Sequence, residues 1–391
     1  GLENLLITRK STIYSAYPSE VWPGEASVKT SRIHIFKGVW GGRRNINKKS
    51  VNSISSSLSD REEIHVMPLK NSSHITYQGN ILLGTGFIVS KNDALTMIKE
   101  DEKNRDVLFP YIGGNELNGR PENIYDRWVV NFFDWPEDSA KLYAQPYNRI
   151  FETVKSERLE KKDKNSSNYP WWQHLRQRSE LYHAIGRGNE FEKHPMGWVS
   201  DNRNIPRVLV NARVTKYFNP AFIENTVVFH EKLVVFVLDS YWHLALLNSS
   251  LVQDWTWKHS GRMGDGLSFT PKKAFETLPM PREVSFSKLN KLGESYHLLR
   301  LSIFESKKIG LTSTYNLFHN ADVSDENIIK LRELHRKIDY EIAVTYGWND
   351  LDFKHDYYCL DYLPKNDCIR FTISEKARNE VFDRLTALNK E

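Results

Sequence analysis

The stretch from Tyr169 to Arg187, YPWWQHLRQRSELYHAIGR, sets planar aromatics beside guanidinium groups at helical spacing. Trp171, Trp172, Leu175, Leu181 and Ile185 fall on one side of an expected helix over 169–186, while Arg176, Arg178 and Arg187 project from the other sides. An amphipathic helix of this kind packs its tryptophan side into a core and lays its arginine side along phosphates. Just upstream, within an expected helix over 136–165, RIFETVKSERLEKKDKN adds Arg149, Lys155, Arg158, Lys161, Lys162 and Lys164. The two segments form the densest positive region of the chain. A solvated helical hairpin accounts for the same residues, since charge runs are usually surface, so both readings stay open.

The 391 residues allow two or three domains at roughly 100–200 residues each. A 40% hydrophobic and 12% aromatic content is ample for sizeable cores. The net charge of +5, from 54 basic and 49 acidic side chains, is mild, so a nucleic-acid surface has to be a local patch rather than a global field. Cys359 and Cys368 are the only cysteines; nine residues apart and without a secretory segment, they fit a reducing, cytoplasmic setting better than a disulfide framework. No window approaches ~18 consecutive apolar residues, so no membrane span is expected. The chain opens without Met inside what reads as an ongoing fold, which predicts a piece of something longer.

Strand alternation appears at 27–40, where Val28, Ile33, Ile35 and Val39 are separated by polar partners, and Gly41-Gly42 predicts a hairpin turn. Residues 43–74 read as a polar loop with short pieces. Residues 75–100 read as strand, glycine punctuation, strand and a short helix from about Ser90; 127–133 as a strand; 206–238 as strand-rich. A helix over 240–258 and a loop over 259–275 follow, closed by the prolines of LPMPRE near residue 282. The remainder is helical. Leu289, Leu292, Tyr296, Leu299 and Ile303 make a heptad-like stripe, and Ile328, Leu331, Leu334, Ile338 and Ile342 make a second one after an N-cap at Ser324. A last helix starts after Ser374, with Ala377, Val381, Leu385 and Leu388 on one face. The stripes serve either as a helical core or as a docking face for a partner.

Catalytic motifs are scarce. GTGF at 84–87 runs on into a strand, which favours a β-turn over a phosphate-cradling loop. There is neither a P-loop nor a Gly-x-Ser-x-Gly elbow. His319 and His335 read as structural histidines rather than metal ligands, and no metal or catalytic residue is assigned. The loop HSGRMGDG with Arg262, followed by Lys272, sits next to Trp255 and Trp257; it reads as a grip for a nucleic-acid backbone or as ordinary surface loop.

The order of motifs carries a resemblance. WPGEASVKTSRIHIFKGVW (22–40), YQGNILLGTGFIVS (77–90), VLFPYIGGNELNGRP (107–121), RWVVNFFDWPEDSAKLYAQPYNRIFETVKSERLE (127–160) and WWQHLRQRSELYHAI (171–185) are followed by FTPKKAFETLPMP (269–281), GLTSTYNLFHN (310–320), IIKLRELHRKIDYEIAVTYGWNDLDF (328–353) and ISEKARNEVFDRLTALN (373–389). Over nearly its whole length the chain resembles the C-terminal half of type IIG/IIL restriction-modification adenine-specific DNA methyltransferases. The resemblance implies an α+β fold: closing strands of a methyltransferase-like domain over 1–60, a mixed α/β target-recognition domain over 75–282, and a C-terminal helical domain over 283–391.

It also implies double-stranded DNA as partner and S-adenosylmethionine as the cofactor of the parent enzyme, with no cofactor held by this chain. The Asn-Pro-Pro-Tyr/Phe element that grips a flipped adenine has no counterpart here. NPAF at 219–222 lacks the second proline and sits deep in the recognition region. The chain is therefore expected to recognise a DNA sequence but not to methylate alone; the alternative is a module docking a separate methyltransferase or nuclease subunit. The basic segments together with the motif order nominate Arg149, Arg158, Arg176, Arg178 and Arg187 for phosphate contacts. The segment 203–218 nominates Asn211, Arg213 and Lys216 for base edges, with Arg213 equally suited to a structural ion pair.

Overall fold

In a computed structural model of the chain, residues 2–25, 29–56, 58, 60, 66–119, 125–160, 169–193, 205–281 and 286–391 are described. The N-terminal segment holds helix α1 (Leu2–Ile7) and strands β1 (Ser11–Val21), β2 (Lys29–Lys37), β3 (Arg44–Ile46) and β4 (Lys49–Val51) in the order β2-β1-β3-β4. The strand over 27–40 pairs back onto β1, not forward across Gly41-Gly42. The forward hairpin is β3–β4, turning at Asn47 and Lys48, whose φ values of 51° and 68° suit a tight two-residue turn. β1 carries register shifts between Ile13 and Ser15 and again after Tyr17, which break the period-two pattern that marks a strand in sequence. Ile13, Ala16 and Ile54 form the small core of this segment.

Next come β5 (Thr76–Gln78), β6 (Ile88–Ser90), α2 (Lys91–Glu100), β7 (Leu108–Ile112), α3 (Gly114–Gly119) and β8 (Arg127–Val130). Ser90 caps α2, its Oγ accepting the Asp93 amide at 3.1 Å. GTGF is a single turn of 3-10 helix packed on Thr153 and Val154; a Cβ on Gly86 would collide with Thr153. This loop is therefore filled by packing and does not fit a cofactor phosphate.

The two expected long helices are not formed. The first is divided into α4 (Glu137–Lys141), α5 (Ala144–Thr153) and α6 (Lys155–Leu159), and of the second only α7 (Ser179–Ala184) exists. Residues 171–178 are instead irregular and joined to the segment after β5 by an isolated bridge. Arg176 and Ile81 exchange backbone hydrogen bonds of 3.1 Å each way, and Trp172 Nε1 and Gln173 Nε2 both donate to the Trp135 carbonyl. Arg178 adopts a left-handed φ of 55°, which a helix cannot continue through.

Strands β9 (Arg207–Ala212), β10 (Val214–Thr215), β11 (Ala221–Glu224), β12 (Val228–Phe229) and β13 (Leu233–Phe236) complete two sheets, β11-β9-β13-β5 and β12-β7-β8-β6. After α8 (Tyr241–Asn248) and α9 (Ser250–His259), the expected loop is a hairpin, β14 (Gly261–Met263) and β15 (Gly266–Ser268), turned by Gly264 at φ 59°. β15 pairs with β10, giving a third sheet, β10-β15-β14, and α10 (Pro271–Ala274) follows it.

The C-terminal segment has α11 (Ser287–Lys307), α12 (Leu311–Phe318), α13 (Glu326–Thr345), the antiparallel pair β16 (Asp356–Cys359) and β17 (Ile369–Thr372), and α14 (Glu375–Lys390). Asp325 caps α13 in place of Ser324, its Oδ1 accepting the amides of Asn327 and Ile328. Ser374 caps α14 as its sequence position implies. Leu289, Tyr296, Ile303, Ile328, Leu331, Ile338 and Ile342 are buried in a hydrophobic core that also contains β9, β13, α8 and α9. The stripes therefore pack on the strands and helices of residues 205–281 rather than forming an open docking face. Cys359 and Cys368 are joined in a disulfide across β16 and β17, contrary to the expectation of separate thiols. No helix among the described residues is long and apolar enough to cross a membrane.

Candidate nucleic-acid interface

The motif YQGN (77–80) organises the surface where the sheets β11-β9-β13-β5 and β12-β7-β8-β6 meet. Asn80 is fully buried: its Nδ2 donates to His174 Nδ1 at 3.0 Å and its Oδ1 accepts from Tyr182 Oη at 2.9 Å. His174 Nε2 in turn donates to the Val130 carbonyl, and burial lowers the His174 pKa to about 4, which keeps the ring neutral in this tautomer. Gly79 lies so close to the His230 and Phe229 carbonyls that no side chain fits. Its amide donates to the Leu233 carbonyl, and the Asn80 amide donates to Phe229. Gln78 Nε2 donates to the Glu231 carbonyl at 2.8 Å. Three consecutive residues thus hold the turn His230–Glu231–Lys232 between β12 and β13.

That turn presents a row of cations. Lys232 is exposed, and its carbonyl accepts the Arg213 amide at 2.7 Å. Arg213 is the single residue between β9 and β10. The Phe269 amide donates to its carbonyl, so the backbone is held on both sides while the exposed side chain meets no hydrogen-bond or ion-pair partner among the described residues. Beyond it, Arg262 projects from β14 with its guanidinium 5.9 Å from the Trp257 ring, and Lys272 is exposed on α10. On the other flank Arg178 donates to Gln78 Oε1 and the Gly79 carbonyl, and exposed Arg176 donates to Tyr169 Oη at 3.1 Å. His230 Nδ1 accepts the Lys232 amide; burial lowers the His230 pKa, with Lys232 and Arg127 adding to the effect and Glu231 opposing it. Below the turn, Arg127 makes a bidentate pair with Glu116, at 2.8 and 2.7 Å.

Five nominated residues are placed elsewhere. Arg158 is buried and donates to the carbonyls of Leu82, Leu83 and Pro170. Arg187 is buried between Phe109 and Tyr182, donating to the carbonyls of Asn225 and Val227 and pairing with Glu190 at 2.8 Å. Neither guanidinium can reach a phosphate without breaking these bonds. Asn211 is buried in β9, its amide donating to the Ala212 carbonyl, so it cannot reach a base edge. Lys216 is held by Asp367 at 3.1 Å and Asn316 at 3.0 Å. Arg149 is exposed on α5 without a side-chain partner among the described residues, away from the YQGN turn in sequence and element. Lys161, Lys162 and Lys164 lie outside the described residues. Sequence reasoning missed Lys232 and Gln78; the glycine in YQGN was the one local signal that a backbone passes close by.

Comparison with known proteins accords with this arrangement. The family model "MmeI, target recognition domain" matches residues 63–282, and the chain belongs to this family. Among solved structures, that of the type IIL restriction-modification enzyme MmeI in complex with DNA superimposes with a TM-score of 0.63 at 13% sequence identity, covering 99% of this chain and 47% of that one. The chain thus spans about half the length of that enzyme and shares its fold over this part. No curated protein matches.

Proposed function

We propose that this chain is the sequence-recognition portion of a restriction-modification DNA methyltransferase that acts on adenine N6, and that its partner is double-stranded DNA. The observation that carries the reading is the row Arg176–Arg178–Lys232–Arg213–Arg262: cations set on strand ends and tight turns whose backbones are hydrogen-bonded in place. Rigid presentation of donors is what base readout requires, and clustered cations are what phosphate binding requires. Family membership and the fold shared with an enzyme solved on DNA support the same reading. Arg213 takes the base-reading role, with Lys232 beside it; Arg149, Arg176, Arg178, Arg262 and Lys272 serve the phosphates.

On this reading residues 1–60 close a methyltransferase-like sheet, 75–282 recognise the target and 283–391 support them. S-adenosylmethionine and methyl transfer belong to another portion of the cytoplasmic enzyme. Selection from pooled random duplex DNA across a salt series, with sequencing of the retained fraction, tests it. An enriched motif with a steep salt slope is the expected result. Absence of binding at low salt overturns it in favour of a docking module for a separate subunit.

A further inference from the structure

The loop between Cys359 and Cys368 reaches the β10-β15-β14 sheet at Lys216, the residue after β10, and, through α9, at Trp257 beside the hairpin. At the foot of β10, Asp367 Oδ1 holds Lys216 Nζ at 3.1 Å. Asp367 is itself gripped by Arg370 at 3.2 Å, and Arg370 lies 4.9 Å over the Tyr217 ring. Desolvation would raise the Asp367 pKa, but the hydrogen bonds and charges of Arg370 and Lys216 outweigh it and keep the carboxylate ionised. Tyr217 Oη and Lys216 Nζ share Asn316 Oδ1, and the Tyr217 carbonyl accepts Thr215 Oγ1 at 2.8 Å, so the grip passes directly into β10. At the hairpin, Tyr362 lies 5.6 Å from Trp257, the ring against which Arg262 rests. Tyr362 Oη donates to Asp254 at 2.6 Å, and Asp254 also pairs with Arg378 of α14.

We infer that the Cys359–Cys368 loop is a positioning element for DNA recognition: Asp367 fixes the foot of β10 through Lys216, and Tyr362 fixes Trp257 beneath Arg262, so the C-terminal segment sets the aim of Arg213 and Arg262 without touching DNA. The inference rests on the proposed reading of that sheet as part of the recognition surface. Lys216 and Asp367 are each 38% exposed, and an ion pair that open contributes little to stability. Its geometric effect is therefore separable from folding.

The test uses the full chain in the random-duplex selection. Wild type is compared with Lys216→Ala and with Lys216→Arg; Asp367 is left in place because it also holds Arg370. Lys216→Ala is expected to lower motif enrichment by about tenfold, while Lys216→Arg, which still pairs with Asp367, restores most of it. Both variants should melt within about 4 °C of wild type. Enrichment unchanged in Lys216→Ala overturns the inference; so does a uniform loss of binding to all duplexes with a shallower salt slope, which would mean that Lys216 touches phosphate itself. A wild-type chain that enriches no motif removes the recognition reading, a failure visible before any variant is compared.

Discussion

Arginines that look alike in the sequence divide by what accepts their protons. Arg158 and Arg176 lie in the same basic region, yet Arg158 is buried on three backbone carbonyls while Arg176 is exposed against Tyr169. Arg158→Ala is expected to destabilise the fold by about 3 kcal/mol, because it leaves those carbonyls unpaired in the interior; the midpoint of denaturant unfolding measures it. Arg176→Ala should leave that midpoint in place, weaken binding to all duplexes alike and lower the salt slope. Arg213→Ala should instead cost about 1–3 kcal/mol at the cognate site and relax one position of the motif. A uniform loss across sequences would assign Arg213 to a phosphate. The sequence left Arg213 open between a DNA contact and a structural ion pair, and in the fold its exposed side chain meets no ion-pair partner among the described residues. The burial of Arg158 was not legible in the sequence, because two of its three acceptors lie about seventy-five residues upstream and backbone carbonyls carry no residue-type signal.

At the scale of elements, periodicity located the C-terminal helices and strands within 75–90, 127–133 and 206–238, but missed β1, β7, β14–β15 and β16–β17 and misjudged 169–178. Trp171, Trp172 and Leu175 have helical spacing, but the bridge to Ile81 offers the backbone an alternative set of hydrogen bonds, and the left-handed turn at Arg178 closes the helical route. Tertiary context outweighs propensity there. The junction between α9 and α13 shows a different kind of hidden feature. Asp339, fully buried, accepts the Ser250 amide at 2.9 Å and His355 Nε2 at 2.8 Å, and Ser250 Oγ meets His335 Nε2 at 2.8 Å. Burial alone would raise the Asp339 pKa, yet the His335 charge and the His355 and Ser250 hydrogen bonds lower it. Burial lowers that of His335. Both groups have folded values below their unfolded ones, so both stabilise the fold most at higher pH and lose that contribution as pH falls. His335 begins to lose it below about 6.5, and Asp339 does so as pH drops below about 4. Melting temperature should be flat from pH 8 to 7 and decline through the acid range. Asp339→Asn should be less stable at pH 7 and show a shallower acid decline below pH 5. A parallel decline in both proteins would remove Asp339 as a cause.

The described residues form three cores. The N-terminal sheet closes over Ile13, Ala16 and Ile54 and leaves Val39 86% exposed; Phe87, Val129, Ile150 and Val228 belong to a second core within the recognition segment; and the largest core runs from β9 through α8 and α9 into α11, α13 and α14. Side chains reinforce that continuity. Trp255 of α9 lies 5.5 Å from Phe382 of α14. Asn389, near the end of the chain, accepts the Met67 amide and donates to the Met67 and Thr277 carbonyls, tying both ends of the recognition segment to the last helix. Recognition and C-terminal segments that share one core must unfold together, since neither can lose its half of the buried surface and leave the other intact. The small sheet buries far less apolar area and should melt first. Calorimetry of the full chain is accordingly expected to show a minor lower transition and a major upper one. A chain of residues 66–391 should keep the upper transition and lose the lower. A chain ending at 282 should melt well below that upper transition, because Trp255, Leu244 and Thr277 are left without cover. If residues 66–282 melted cooperatively at the temperature of the full chain, the C-terminal segment would be an appendage rather than part of the recognition fold, and the aim of Arg213 and Arg262 would have to be set within the recognition sheets themselves.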